Sequence, residues 1–185
     1  MTEENREQLE NKENEVQIDP LMVEMVMEKF RSEQNLAGGV FAGLVGALAG
    51  ASIWAAITVL TEYQIGWMAV GVGFLAGIAT RSIGKGIDKV FGVVGGAMAL
   101  LGCLLGNIFT VCYFISITEK TGFFSVLSRL DFTTIVNLLK ATFSPIDILF
   151  YAIAIYEGFK LSFRQIPKEE FLSMAKGGAS SIETT

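Results

Sequence analysis

The sequence predicts an all-α, polytopic membrane protein: four transmembrane helices packed through glycine seams, with amphipathic interfacial helices around them. Three observations predict it. Residues 39–117 form an almost unbroken apolar run, interrupted once by a basic turn. Only 18% of the 185 residues are charged, below the roughly 25% usual in soluble domains, and mean hydropathy is +0.50. Glycine or alanine recurs at one spacing in three separate apolar segments. Apolar runs of this length have a bilayer as their natural solvent.

Taken in order, residues 1–18 are polar and acidic, with too little apolar mass to offset the entropy of ordering, and read as a disordered tail. They lack the basic start and apolar core of a signal peptide, so the first span is expected to act as an uncleaved targeting signal. Asp19-Pro20 then reads as an N-cap and first helical position. The resulting amphipathic helix, within residues 19–34, is too short and too charged to span. Its methionine-rich face suits the membrane surface, the protein's own body or a partner.

The predicted three-helix core occupies residues 38–117, with spans at about 38–60, 63–80 and 91–117. In the first, small residues fall at Gly39, Gly43, Gly46 and Gly50. In the second they fall at Gly66, Gly73 and Gly77, with Val70 the one exception. In the third they are Gly95, Ala99, Gly102 and Gly106. The spacing i, i+4, i+7, i+11 keeps each seam on one helix face. Such seams let backbones approach in lipid, where burying apolar surface between helices gains little. The four-residue link Thr61-Glu62-Tyr63-Gln64 makes the first two spans antiparallel neighbours. Trp54, Tyr63 and Trp67 around it read as an interfacial aromatic belt.

Residues 118–144 carry Arg129, Asp131 and Lys140, too many charges for an ordinary span. They read as two short amphipathic helices forming an outer cap, the second starting at an Asp131 N-cap. Ser144, Pro145 and Asp147 form a capping-box start for the fourth span, residues 145–163. Its low glycine content predicts a peripheral position. Residues 164–185 form a polar tail with one helical turn near Glu169 to Lys176.

Charge decides the topology. With the N-terminus inside, eleven Lys and Arg lie on the cytoplasmic side and three, Lys120, Arg129 and Lys140, outside. Both termini are then cytoplasmic. The net charge of -5 is local, because ten of the nineteen acids precede Gln34.

Composition also limits the chemistry. The chain contains no histidine, hence neither the commonest general base nor the commonest metal ligand. Cys103 and Cys112 face opposite sides of one predicted helix, so they read as packing residues rather than a metal pair. No basic patch with interleaved aromatics points to nucleic acid. Gly71-Val-Gly73-Phe-Leu-Ala76 matches a dinucleotide pattern but lies inside a predicted span, where that motif has no function. The turn at residues 81–89, with Arg81, Lys85 and Lys89, departs from a phosphate loop at both ends. It reads as a topology-setting turn or a contact for lipid phosphates. Asn107 is the most central polar side chain and is expected to hydrogen-bond across helices. Glu157 is the one carboxylate well inside a span. It reads either as an ion-pair partner of Lys160 or Arg81, or as an ion- or proton-handling group. No serine, aspartyl or metalloprotease motif accompanies them, and no catalytic residue, cofactor or metal ligand is expected.

Four stretches carry a resemblance: YQIGWMAVGVGF at 63–74, GKGIDKVFG at 84–92, ALLGCLLGN at 99–107 and FSPIDILFYAIAIYEG at 143–158. Across residues 38–163 the chain resembles a group of uncharacterised small bacterial multi-pass membrane proteins. The resemblance implies a bacterial inner membrane and a shared four-span body with variable tails. It brings no activity and no functional residues.

The function expected from the sequence is that of a non-catalytic integral membrane protein, a structural, assembly or accessory component that self-associates or joins a membrane-protein partner. A small oligomeric channel or transporter using Glu157 and Asn107 is the alternative, followed by an anionic-lipid-interacting protein. The lipid bilayer is the common partner in all three.

Overall fold

The structure is a computed structural model that describes residues 20–63 and 66–174. The acidic tail at 1–18, the Asp19 cap, Gln64 of the first link and the tail beyond residue 174 lie outside the described residues. Every regular element among the described residues is helical: α1 Pro20–Ser32, α2 Leu36–Thr61, α3 Met68–Gly84, α4 Lys89–Thr118, α5 Phe123–Ser128, α6 Phe132–Thr142 and α7 Pro145–Leu161.

Contacts divide the chain into two units, residues 1–32 with 165–185, and residues 33–164. In the first, α1 buries Val26 and Phe30, one helical turn apart. Residues 168–174 are helical, and the Pro167 carbonyl accepts the Phe171 amide at 3.1 Å.

The second unit is built on α2, α3, α4 and α7. Both α3 and α4 pack against α2 and against α7. Its main apolar cluster draws on all four: Trp54 from α2, Ala69 and Val72 from α3, Cys103 from α4, Tyr151 and Ala154 from α7. Short links make α2, α3 and α4 successive antiparallel neighbours. The chain returns along α7, whose end meets the α3–α4 link where the Arg164 amide donates to the Gly86 carbonyl at 2.8 Å.

Two helices, α2 and α4, are each long and apolar enough to cross a membrane. α3 is apolar but has only 17 residues. α6 and α7 meet the length and apolarity test together, yet they bend by 107° at the break between them. The bend is built locally. Pro145 opens α7 there, with the Asp147 carboxylate accepting the Ser144 amide at 2.8 Å; at the far end of α6, Asp131 caps the helix by accepting the Thr134 amide at 2.9 Å. The Thr134 bonds hold the Asp131 carboxyl below its usual range. That cap is therefore intact at neutral pH and is lost only as pH falls through the lowered value.

The second predicted span, α3, differs from the sequence expectation. It begins at Met68 rather than Tyr63 and runs past Arg81 to Gly84. Gly66 consequently sits in the preceding turn, its Cα facing the Phe150 ring. The basic turn shrinks to residues 85–88, because Arg81 lies in the last turn of α3 and Lys89 opens α4.

The glycine seams also meet partners that spacing alone could not assign. Gly39 approaches the Gly84 backbone and the Phe91 ring, Gly43 faces Thr80 and Met98, Gly46 faces Ala76, and Gly50 faces Val72. Gly73 and Gly77, however, face α7, where they meet Ala154 and Gly158. The α4 seam is divided: Gly95 faces α7, while Gly102 and Gly106 face Ala47 and Trp54 of α2. The core has four helices rather than three, and α7 is not peripheral. A single glycine admits it: a Cβ at Gly158 would lie 2.6 Å from the Gly95 carbonyl oxygen and 2.8 Å from the Ala99 Cβ.

Gly158→Ala is therefore expected to destabilise the bundle by about 1–3 kcal/mol through overpacking. Gly71→Ala adds a methyl to open space and should be neutral, or stabilising by up to about 1 kcal/mol through helix propensity. Thermal unfolding of the two detergent-solubilised variants checks both.

Candidate functional site

The polar side chains of the second unit gather at two levels. At the elbow end, three chain segments meet. The Gln34 amide oxygen accepts the Ile87 and Asp88 amides at 3.0 and 3.2 Å, and its nitrogen donates to Asp88 Oδ2 at 2.9 Å. The Asn35 amide donates to the Gly84 carbonyl at 2.9 Å, and the Asn35 side chain caps α2 through the Gly38 amide at 2.8 Å. Arg164 pairs with Glu33 at 2.7 Å. The start of α2 and the end of α7 are thereby both tied to the α3–α4 link. Gln34 satisfies donors that a tight four-residue link leaves open, which is why one neutral side chain makes three bonds there. Gly84 and Gly86 have a separate role: with Gly39 they make room for the buried Phe91 ring.

The basic residues singled out from sequence surround this elbow. Lys85 sits in the left-handed region at φ 48° and is exposed, Lys89 is exposed, and Arg81 is half-buried. No acidic partner pairs with their side chains among the described residues.

Glu157 lies one turn before the end of α7 and is half-buried. The ion pair expected with Lys160 or Arg81 is not formed. The Lys160 ammonium stands 5.8 Å from the Tyr156 ring centroid, and Arg164 is held by Glu33. Glu157 has no hydrogen bond or ion pair among the described residues.

Toward the other end, Asn107 on α4 is 4% exposed and donates from Nδ2 to the Tyr151 hydroxyl of α7. This bond joins two helices within the apolar core. Asn107 and Glu157 are not brought together. Ala99, Cys103 and Ala154, all fully buried, occupy the space between their levels, and α7 there touches the α3 and α4 backbones at Ala154 and Gly158.

Trp54 departs from the expected aromatic belt. It is buried against Gly106, while Tyr63 and Trp67 are exposed. Both cysteines are buried and free, Cys103 with its thiol 3.9 Å from the Ala69 carbonyl. No group of three metal-ligating side chains occurs among the described residues. A groove of about 510 Å³ runs between α2, α4 and α5. Ser52 and Tyr113 bring the hydroxyls of its lining, and Ser52 Oγ donates to the Leu48 carbonyl, so the surface suits hydrocarbon better than a polar substrate.

Gln34 and Tyr151 were not singled out from sequence. Gln34 looks like an ordinary surface residue, and Tyr151 reads as one aromatic among many. Their only signal is a partner more than forty positions away.

Gln34→Ala is expected to cost about 1–3 kcal/mol by leaving the Ile87 and Asp88 amides without their acceptor. Tyr151→Phe should cost about 0.6–2 kcal/mol, the range of a cross-helix hydrogen bond in a membrane protein. Midpoints of denaturant titrations in mixed micelles measure both. Compared with family models, with curated proteins and with solved structures, the chain matches none.

Proposed function

We propose that this chain is a four-span protein of the bacterial inner membrane, with both termini cytoplasmic, acting without catalysis as a structural, assembly or accessory component of a membrane complex. One observation carries the reading: Glu33 and Arg164 are paired at 2.7 Å. The segments before α2 and after α7 therefore leave the bundle side by side, at the same end as the elbow. Two adjoining tethers at one membrane face suit docking of a partner, or of a second copy. Four spans are favoured because α3 and α7 run parallel to each other and antiparallel to α4 within one shared core. Each is about 25 Å long at 1.5 Å per residue, short of the roughly 30 Å hydrocarbon thickness, a mismatch that local thinning and snorkelling side chains accommodate. The eleven-to-three distribution of cations orients the elbow to the cytoplasm.

A channel running through one chain receives less support, because close backbone packing interrupts the route from Glu157 to Asn107. A second reading is favoured by the charges at the elbow. Arg81, Lys85 and Lys89 have no acidic partner among the described residues, while the neighbouring acids Glu33 and Asp88 are engaged by Arg164 and Gln34. That leaves cations available to anionic headgroups of the inner leaflet.

Single cysteines replacing Lys85 and Lys120 are expected to label from opposite sides of the membrane; labelling from one side would sink the four-span topology. Purification in mild detergent should recover a defined oligomer or a stoichiometric partner, and an inert monomer would count against the accessory role. Lys85→Gln with Lys89→Gln should reduce retention of phosphatidylglycerol in native mass spectrometry, whereas unchanged retention removes the lipid reading.

A further inference from the structure

Two buried polar atoms on α2 have no protein partner: the Trp54 indole Nε1 and the Thr58 Oγ1. Trp54 is 1% exposed and Thr58 3% exposed. They are four residues apart, so they lie on the same helix face one turn from each other. Trp54 sits about 10 Å before the end of α2, at the level of Gly106. An unbonded indole N–H or hydroxyl in such an apolar interior costs free energy unless something occupies it.

Thr58 also breaks a local pattern. A hydroxyl in a helix can bond the carbonyl four residues back. Ser52, Thr61, Thr80 and Thr110 each do so, at 2.8 to 2.9 Å. Thr58 does not take the Trp54 carbonyl. The neighbouring donors are directed elsewhere: Asn107 Nδ2 donates to the Tyr151 hydroxyl and the Thr110 hydroxyl donates to the Gly106 carbonyl.

We infer that an ordered water is held inside the bundle between α2 and α4, accepting the Trp54 indole N–H and bonding the Thr58 hydroxyl. Water fits because it is small and can both accept and donate. The indole offers only a proton, and the hydroxyl offers a proton and lone pairs. Buried waters in proteins characteristically bridge such orphaned groups. The site is a hydration point beside the Asn107–Tyr151 bond, at the end of the bundle opposite the elbow.

The test uses the full chain in nanodiscs with Trp67→Phe, which leaves Trp54 as the one indole. The expected result is a cross-peak between the ¹⁵N-bound indole proton and water. Thr58→Val should remove at least half of its intensity and lower the thermal midpoint, and Thr58→Ser should restore both. An indole proton that cross-relaxes only with protein or lipid overturns the inference. So does a cross-peak indifferent to Thr58→Val, or a Thr58→Val midpoint equal to or above the parent's. If Thr58→Val fails to fold, the parent and Thr58→Ser spectra still decide, by presence or absence of the water cross-peak.

Discussion

The structure depends on how closely α7 can approach the backbones of α3 and α4. At Gly158 the α7 backbone lies against Gly95 and Gly77, and at Ala154 it lies against Gly73. In lipid, no general hydrophobic gain drives helices together, so contact area and short backbone distances must supply the attraction. Small residues on both sides of the α7 contacts achieve this. The four-helix core, the return of the chain to the elbow and the pairing of Glu33 with Arg164 all require that α7 be seated.

The two ends of the bundle are then closed by different means. At the elbow, closure is polar: the Gln34 side chain and the Arg164 amide saturate backbone groups of the α3–α4 link, and Glu33 neutralises the Arg164 guanidinium. At the opposite end, closure is apolar. Ile108 and Cys112 of α4 pack with Val126 of α5, and Ile135 and Leu139 of α6 cover them. The groups left over differ accordingly. The elbow end retains the cations Arg81, Lys85 and Lys89 and the Glu157 carboxylate, none of them ion-paired among the described residues. The cap end retains buried neutral donors, those of Trp54 and Thr58. Charged side chains remain where water and headgroups can reach them, and neutral ones lie inside, as their different costs of burial require.

Much of the helical pattern was legible in the residues. The capping groups at Asp131 and at Ser144–Asp147 announced α6 and α7, because a cap is a local interaction between residues three apart. Glycine spacing marked which helix faces are smooth. It could not assign their partners, because Gly73 and Gly77 present the same seam whether α2 or α7 lies against it. A low glycine count made α7 look peripheral, although one glycine at the point of contact suffices. The start of α3 was misplaced for a related reason: Gly66 continues the small-residue spacing of the seam, and the turn there is held by tertiary packing of Gly66 and Trp67 on Phe150.

The sequence by itself determined the all-helical class, the apolar segments, the positions of the caps and the asymmetric distribution of charge. These follow from composition and from interactions within a few residues. Only the tertiary structure decided that Trp54 is a core residue, that Asn107 meets Tyr151, that Gln34 holds the elbow and that Glu157 makes no ion pair among the described residues. Each of these depends on which surfaces face one another across the bundle, and periodicity along one helix contains no term for the identity of its neighbour.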